Sequence, residues 1–349
     1  MQYGCKIESI GVKLPEKRLS TTEIEKQLSS SRSLKLEMLT GISSRRVCNQ
    51  YEDSLSLAVD AARDCLKYSG FDAGEIEMII SCSISKYVNG LNHYYEPALS
   101  LMIKDKIGNT KALNFDIMNA CAGMVTGIHI ANNFISQGKV KNCLVVSGEY
   151  ITHIGKNALK SVISIQHPEM ASLTVGDAGA AVMLTQTNRK EDSLWVSEMT
   201  TLSRFSNLCT GYQSPDYPGA VMKTDMKTIH EVSLQNVPSV VENALKKADI
   251  KFRDIDYFIP HQTAKISIKA GARILSKYFR EKPGEVVINL SETGNTASTT
   301  HFVTLYQYLK KGKFKKGDKI MLVSFASGLV IGSVVFPVNE IVNRYGNNN

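Results

Sequence analysis

Three residue types in this chain could together carry out acyl chemistry: a cysteine at a helix start, a histidine at the end of a strand and an asparagine in a turn before a helix. The cysteine is Cys121, in the stretch Asn114 to Gly138, which reads as a strand, a turn of small residues and an amphipathic helix. Backbone N–H groups at a helix start are unpaired and carry partial positive charge, which favours a thiolate over a thiol. The thiolate is the nucleophilic form. Ala120, Ala122 and Gly123 would leave room around the sulfur for an acyl group. Free cysteines are also among the most buried residues, and this stretch alone does not separate a nucleophile from a packed thiol.

A nucleophile needs partners. Among seven histidines, His261 follows the apolar run Tyr257-Phe258-Ile259-Pro260 and precedes a helix. That places it at the carboxyl end of a strand, where ligands gather in parallel α/β sheets. The turn Glu292 to Ser298 would present the Asn295 amide in front of another helix. Each feature alone is weak, since Gly-Asn is also an ordinary turn signal.

The surrounding elements alternate. Helical spacing covers residues 54–68, about 122–138, 232–248, 264–278 and 302–310. Short apolar runs of buried-strand type lie at 77–83, 113–117, 144–146, 180–184, 256–259, 320–325 and 331–336. Strands alternating with helices of this length predict an α/β fold with largely parallel sheets. The polar region 186–230 reads as a crossover between halves, dividing the chain into residues 1–185 with the cysteine and 186–349 with the histidine and asparagine. The Asn347-Asn348-Asn349 tail is expected to fray.

Composition narrows the class. The 349 residues are 43% hydrophobic and 21% charged, which excludes a disordered chain. Seven cysteines without any C-x-x-C pair argue against a disulfide framework and a structural zinc site. The N-terminus turns polar too soon for a secretory signal, and no apolar run approaches a membrane span. The expected compartment is therefore the reducing cytoplasm.

In this order the pieces resemble the β-ketoacyl-(acyl carrier protein) synthase III branch of the thiolase superfamily. The matching segments are Asn119-Ala120-Cys121-Ala122-Gly123, Gly176-Asp177-Ala178-Gly179-Ala180, Pro260-His261-Gln262, Gly294-Asn295-Thr296-Ala297-Ser298 and Phe325 to Ser333. Ile10 to Pro15 and the Thr40-Gly41-Ile42 turn fit the same family's N-terminal region. The resemblance implies the thiolase fold, two similar α/β halves packed as five layers, αβαβα. It implies an acyltransferase of lipid and fatty acid biosynthesis that needs no cofactor or metal and forms a homodimer. Cys121 would take an acyl group from a thioester. His261, as a neutral Nε2–H donor, and Asn295 would hold the carbonyl oxygen of a malonyl thioester as it loses CO2. The backbone N–H groups of Cys121 and Ser327 would form the oxyanion hole for the ensuing attack.

Two positions depart from that pattern. Where initiating synthases clamp coenzyme A with a Trp and an Arg, this chain has Lys35 and Leu39, and its one tryptophan is Trp195. Carrier-protein donors or longer acyl groups gain ground, with acyl-CoA still an option. Glu96, before Pro97, matches a usually apolar residue that reaches into the partner subunit's acyl pocket. Buried there, its raised pKa would suit a general base in non-decarboxylative joining of two acyl or β-ketoacyl thioesters. In the other reading it is a solvated glutamate near a helix start.

The formal net charge of +8 comes from 41 basic and 33 acidic residues. Lys265, Lys269 and Arg273 recur every four residues and form one stripe along the helix after His261. The family docks its acidic acyl carrier protein on that helix, and a solvated face is the plainer alternative. No motif or aromatic interleaving points to nucleic acid. A non-catalytic partner subunit is the reading from a different class, against which the retained Cys, His and Asn argue.

Overall fold

A computed structural model of the chain describes residues 4–28 and 34–346. The terminal Asn347-Asn348-Asn349 lies outside them. Two five-stranded sheets carry the architecture. The first contains β1 (Gly4–Lys13), β2 (Met78–Ser81), β3 (Leu113–Asp116), β4 (Asn142–Glu149) and β5 (Ala178–Thr187), in the order β1-β5-β4-β2-β3. The second contains β6 (Val196–Thr201), β9 (Tyr257–Pro260), β10 (Glu285–Val286), β11 (Lys319–Ala326) and β12 (Val330–Pro337), in the order β6-β12-β11-β9-β10. Between β6 and β9 in the chain lies a separate hairpin of β7 (Cys209–Gln213) and β8 (Ala220–Thr224).

Numbered within its own half, each sheet has the same order: first, fifth, fourth, second, third. Strand directions repeat as well. The first strand is antiparallel to the fifth, the fifth to the fourth, and the remaining pairs are parallel. One topology is thus built twice.

Helices fill the spaces between and outside the sheets. On the outer face of the first sheet lie α1 (Ser54–Lys67) and α2 (Leu99–Lys106). Between the sheets lie α3 (Gly123–Ser136) and α6 (Thr300–Lys310), and α4 (Met226–Ala248) and α5 (Lys265–Phe279) cover the second sheet. The result is the five-layered αβαβα arrangement of the thiolase fold. A continuous apolar core runs through the middle layer and joins Ile80, Val145 and Val182 of the first sheet to Ile259, Leu322 and Val334 of the second.

Local chemistry explains these elements. Asp53 caps α1 by accepting the Ser56 N–H, while Ser56 Oγ accepts from the Asp53 N–H. Leu57, Ala58, Ala61, Ala62 and Cys65 then form a fully buried face. That face meets the sheet at backbone contact. A Cβ on Gly11 of β1 would lie 2.0 Å from the Cys65 nitrogen, and one on Gly148 of β4 would lie 1.9 Å from the Ser54 oxygen.

The region expected to be a plain crossover holds structure of its own. Within 186–230 lie β6, the edge strand of the second sheet, and the β7–β8 hairpin. Both are polar because they are largely uncovered, β6 being only partly buried and β7 mostly exposed. An edge or hairpin strand takes its hydrogen bonds from neighbours without needing a continuous apolar run. The opening strand β1 likewise carries no apolar run long enough to stand out.

The α1 contact gives a stability prediction. Gly148→Ala forces α1 off the sheet and lowers stability by at least about 1–3 kcal/mol, read as a fall in thermal midpoint. Gly74→Ala, at a position with nothing within 4 Å, leaves the midpoint nearly unchanged.

Candidate active site

The ends of both sheets converge on one cavity of about 290 Å³, and Cys121, His261, Asn295 and Ser327 all line it. Each arrives on its own element. Cys121 sits in a single 3₁₀ turn, Ala120–Ala122, between β3 and α3. Ala120 there takes a left-handed φ of 44°, a rare conformation for alanine that turns the chain sharply under the thiol. The cysteine therefore precedes the helix proper, which begins at Gly123.

His261 continues β9, and its backbone N–H donates to the Val323 carbonyl at 2.9 Å. Its Nδ1 is sealed from solvent without a partner among the described residues, whereas Nε2 is not sealed. Asn295 is pinned at three points. Its N–H donates to the Thr174 carbonyl at 2.9 Å, and its carbonyl accepts from the Gly176 N–H at 3.0 Å. Its side-chain Oδ1 accepts from the Ala297 N–H at 3.0 Å, which leaves the amide N–H groups as the donors available to the cavity. Gly294 makes the approach possible, with φ of 66° and a missing Cβ that would lie 2.7 Å from the Thr174 oxygen. Ser327 lies in the turn between β11 and β12.

Burial sets the protonation states. It pushes the Cys121 thiol up, with smaller contributions in the same direction from Cys209 and Glu149. This outcome differs from the thiolate expected of a helix start: desolvation raises the thiol, and the cysteine precedes the helix proper. The same burial lowers His261 to about 3, helped by the neighbouring His301. His261 is thus neutral at physiological pH and can donate.

Next to these groups, Glu149 at the end of β4 is wholly buried. Its Oε1 accepts from Ser298 Oγ, from Ser147 Oγ at 2.9 Å and from the Ile84 N–H at 3.1 Å. Burial raises its pKa despite these bonds.

The rest of the cavity is mainly apolar and comes largely from α4 and α5, with His230 and Ser233 among its few polar groups. Ile229, Leu234 and Val237 face Ile268, Ala272 and Leu275, with Phe258 and Phe325 contributed by the sheet. Cys209 and Thr224 of the hairpin line it too. The start of α4, with Met226, Ile229 and His230, and all of the hairpin's share were hidden by the polar character of 186–230. A small-residue face on α5, with Gly271 and Ala272, was the signal that could have revealed the rest.

Two further groups from the sequence lie outside the cavity. Lys265, Lys269 and Arg273 occupy the exposed face of α5, opposite the face that lines it. No ion pair engages them among the described residues. Glu96 is exposed, between the short strand Asn92–His93 and α2, and does not line its own chain's cavity. Lys35 is exposed and Leu39 partly buried on the short helix Leu36–Thr40 and its flank.

A thiol, a neutral imidazole and an amide donor around one apolar cavity, on a duplicated αβαβα frame, define a condensing enzyme of the thiolase fold. Residues 115–202 match the family described as 3-oxoacyl-[acyl-carrier-protein (ACP)] synthase III, and residues 245–338 match its C-terminal counterpart. The β-ketoacyl-[acyl-carrier-protein] synthase III of Clostridium novyi (strain NT) is 30% identical over 345 residues, covering 95% of this chain and 98% of the relative. That of Coxiella burnetii (strain Dugway 5J108-111) is 27% identical, covering 96% and 99%. The crystal structure of 3-oxoacyl-[acyl-carrier-protein] synthase III from Aquifex aeolicus VF5 superposes with a TM-score of 0.81 at 24% identity, covering 96% of this chain and 100% of that one. Xanthomonas campestris OleA, solved with bound lauric acid and lauroyl-CoA, gives 0.83 at 22% identity, covering 96% and 99%. The chain belongs to the 3-oxoacyl-[acyl-carrier-protein] synthase III family of acyltransferases.

The raised thiol predicts a pH dependence. A thiol held above its usual range gains thiolate as pH rises, so alkylation of Cys121 by iodoacetamide keeps accelerating past about pH 8.5. Peptide mapping of the modified cysteine follows the rate, and a plateau near neutrality would show an activated thiolate instead.

Proposed function

We propose that the enzyme loads an acyl group on Cys121 and condenses it with a malonyl thioester. The observation that carries this reading is the meeting of Cys121, His261, Asn295 and Ser327 around one apolar cavity. In the first step the Cys121 sulfur attacks the donor's carbonyl carbon, and the departing thiol takes up the Cys121 proton. The acyl chain then lies in apolar surroundings that exclude water from the new thioester.

In the second step the malonyl thioester enters, and His261 Nε2–H and the Asn295 amide donate to its thioester oxygen. Loss of CO2 leaves the electron pair on the α-carbon as an enolate, whose negative oxygen those two donors stabilise. Because His261 is neutral, it holds the enolate without protonating it. The α-carbon attacks the acyl carbonyl on Cys121, and the backbone N–H groups of Cys121 and Ser327 receive the oxyanion. Collapse expels the Cys121 thiolate, which regains a proton, and releases a β-ketoacyl thioester.

Acyl carrier protein is the partner we assign to the Lys265, Lys269 and Arg273 stripe, since it is exposed, unpaired and beside the cavity. A homodimer fits the uncovered edge strand β3, where Leu113 is 51% exposed, and the neighbouring Tyr95 at 85%. Seven free thiols suit a cytoplasmic setting.

One observation favours a second reading, in which two acyl or β-ketoacyl thioesters join without loss of CO2. The cavity extends well beyond what a two-carbon acyl group fills, and Lys35 and Leu39 stand where a coenzyme A clamp would have a Trp and an Arg. There Glu96 would serve the partner subunit's site as the base. A matrix of acyl-CoA and acyl-carrier donors against malonyl and β-ketoacyl nucleophiles, with CO2 monitored, decides between the two. The leading reading expects CO2 in step with product, an acyl adduct lost in Cys121→Ala, and unchanged turnover in Glu96→Ala. Product without CO2, abolished by Glu96→Ala, selects the second.

The stripe has its own measurement. Reversing Lys265, Lys269 and Arg273 to glutamate lowers kcat/KM for carrier-bound substrates on the order of tenfold at low salt. The same variant handles CoA-bound substrates as before. Equal loss on both would remove the docking role.

A further inference from the structure

His301 takes no part in the steps above, yet it is wholly buried beside the catalytic imidazole. It is the second residue of α6, the helix that begins just after the Asn295 loop. Its ring lies against that of His261, with centroids 5.8 Å apart and planes 30° from parallel. The sequence offered no sign of this pairing, since the two histidines are far apart in the chain.

Hydrogen bonding fixes the His301 tautomer. Its Nε2 lies 3.1 Å from the Val323 carbonyl. A carbonyl only accepts, so the His301 proton is on Nε2. The same carbonyl accepts the His261 backbone N–H at 2.9 Å, so one oxygen ties both residues together. The Nδ1 atoms of both rings are sealed from solvent and have no partner among the described residues.

These facts bear on where His261 carries its proton. No hydrogen bond joins the two rings, both Nδ1 atoms lacking a partner among the described residues, so His301 gives a proton on His261 Nδ1 no acceptor. That proton would be a buried donor without an acceptor, which proteins tolerate less well than an unmet acceptor. A proton on Nε2 meets the cavity contents instead. A substrate carbonyl there needs a donor.

We propose that His301 is a positioning residue for His261: its ring seals the Nδ1 side against water and polar partners, so that the neutral tautomer with its proton on Nε2 faces the cavity. The proposal rests on the reading of His261 as the enolate donor. Burial adds to it by holding His301 itself down to about 4, so the backing ring brings no charge. The start of α6 acts in the same sense, since a helix N-terminus disfavours a cation.

The test reads the His261 tautomer by long-range proton–nitrogen NMR in the intact enzyme, in His301→Ala and in His301→Phe. Acyl loading of Cys121 and the condensation step are measured on the same proteins. Alanine admits water beside Nδ1, so His261 becomes a mixture of tautomers. Condensation kcat then falls by about tenfold or more, part of the roughly hundredfold to thousandfold carried by one oxyanion donor. The loading rate stays within about twofold, because loading does not use the donated proton. Phenylalanine keeps the stacked ring and the dry Nδ1 side, so it restores the Nε2–H form and most of kcat. The proposal is overturned if His301→Ala retains the Nε2–H tautomer with unchanged condensation. A parallel loss of loading and condensation, unrescued by phenylalanine, would overturn it too, as a packing defect. His261→Ala is the separate control: condensation that survives it removes the donor reading itself.

Discussion

The whole site depends on a seam between the two halves, where the Asn295 loop is fastened to the first half of the chain. Two backbone hydrogen bonds tie Asn295 to Thr174 and Gly176. A few residues on, Ser298 reaches across to the buried carboxyl of Glu149. Cys121 belongs to one side of this seam, and His261 and Asn295 belong to the other. A slip along it would separate Cys121 from His261 and Asn295 while leaving both sheets intact. Glu149 is an unusual fastener. One of its oxygens accepts three hydrogen bonds and the other has no partner. A buried charge so placed is costly, and burial accordingly raises the Glu149 pKa despite its hydrogen bonds.

One physical cause, desolvation, explains the resting state of the site in both directions. It raises the Cys121 thiol and lowers His261, so neither carries charge before substrate arrives. In the proposed reaction charge appears only on the enolate and tetrahedral oxygens, where fixed N–H groups would meet it. Such preorganised donors in a dry cavity act far more strongly than in water. The neutral imidazole backed by His301 belongs to the same design, since it donates without adding a cation.

Parts of the fold were legible in the sequence because their burial is written as periodicity. The helix at Ser54–Lys67 shows its buried face at helical spacing, and the strands at Met78–Ser81 and Lys319–Ala326 show continuous apolar runs. Edge and hairpin strands were not legible. Val196–Thr201 and Cys209–Gln213 leave much of their surface in water, and their pairing comes from backbone hydrogen bonds that any side chain permits. The candidate site was partly legible for a similar reason. Cys121, His261 and Asn295 each end a recognisable element and sit in recognisable neighbourhoods. The α4–α5 walls of the cavity, Cys209 and His301 have no such local signature.

The sequence by itself therefore determined the buried, periodic elements, the chemistry-bearing residues and the family resemblance, because these follow from local pattern and side-chain type. Only the tertiary structure decided which protonation states those residues hold. Tertiary packing removed water from Cys121 and His261, and that removal reversed the thiolate expected from a helix start. It also set His301 behind His261, a contact between elements far apart in sequence. Solvation and stacking are properties of what surrounds a residue in space, and no local pattern records them.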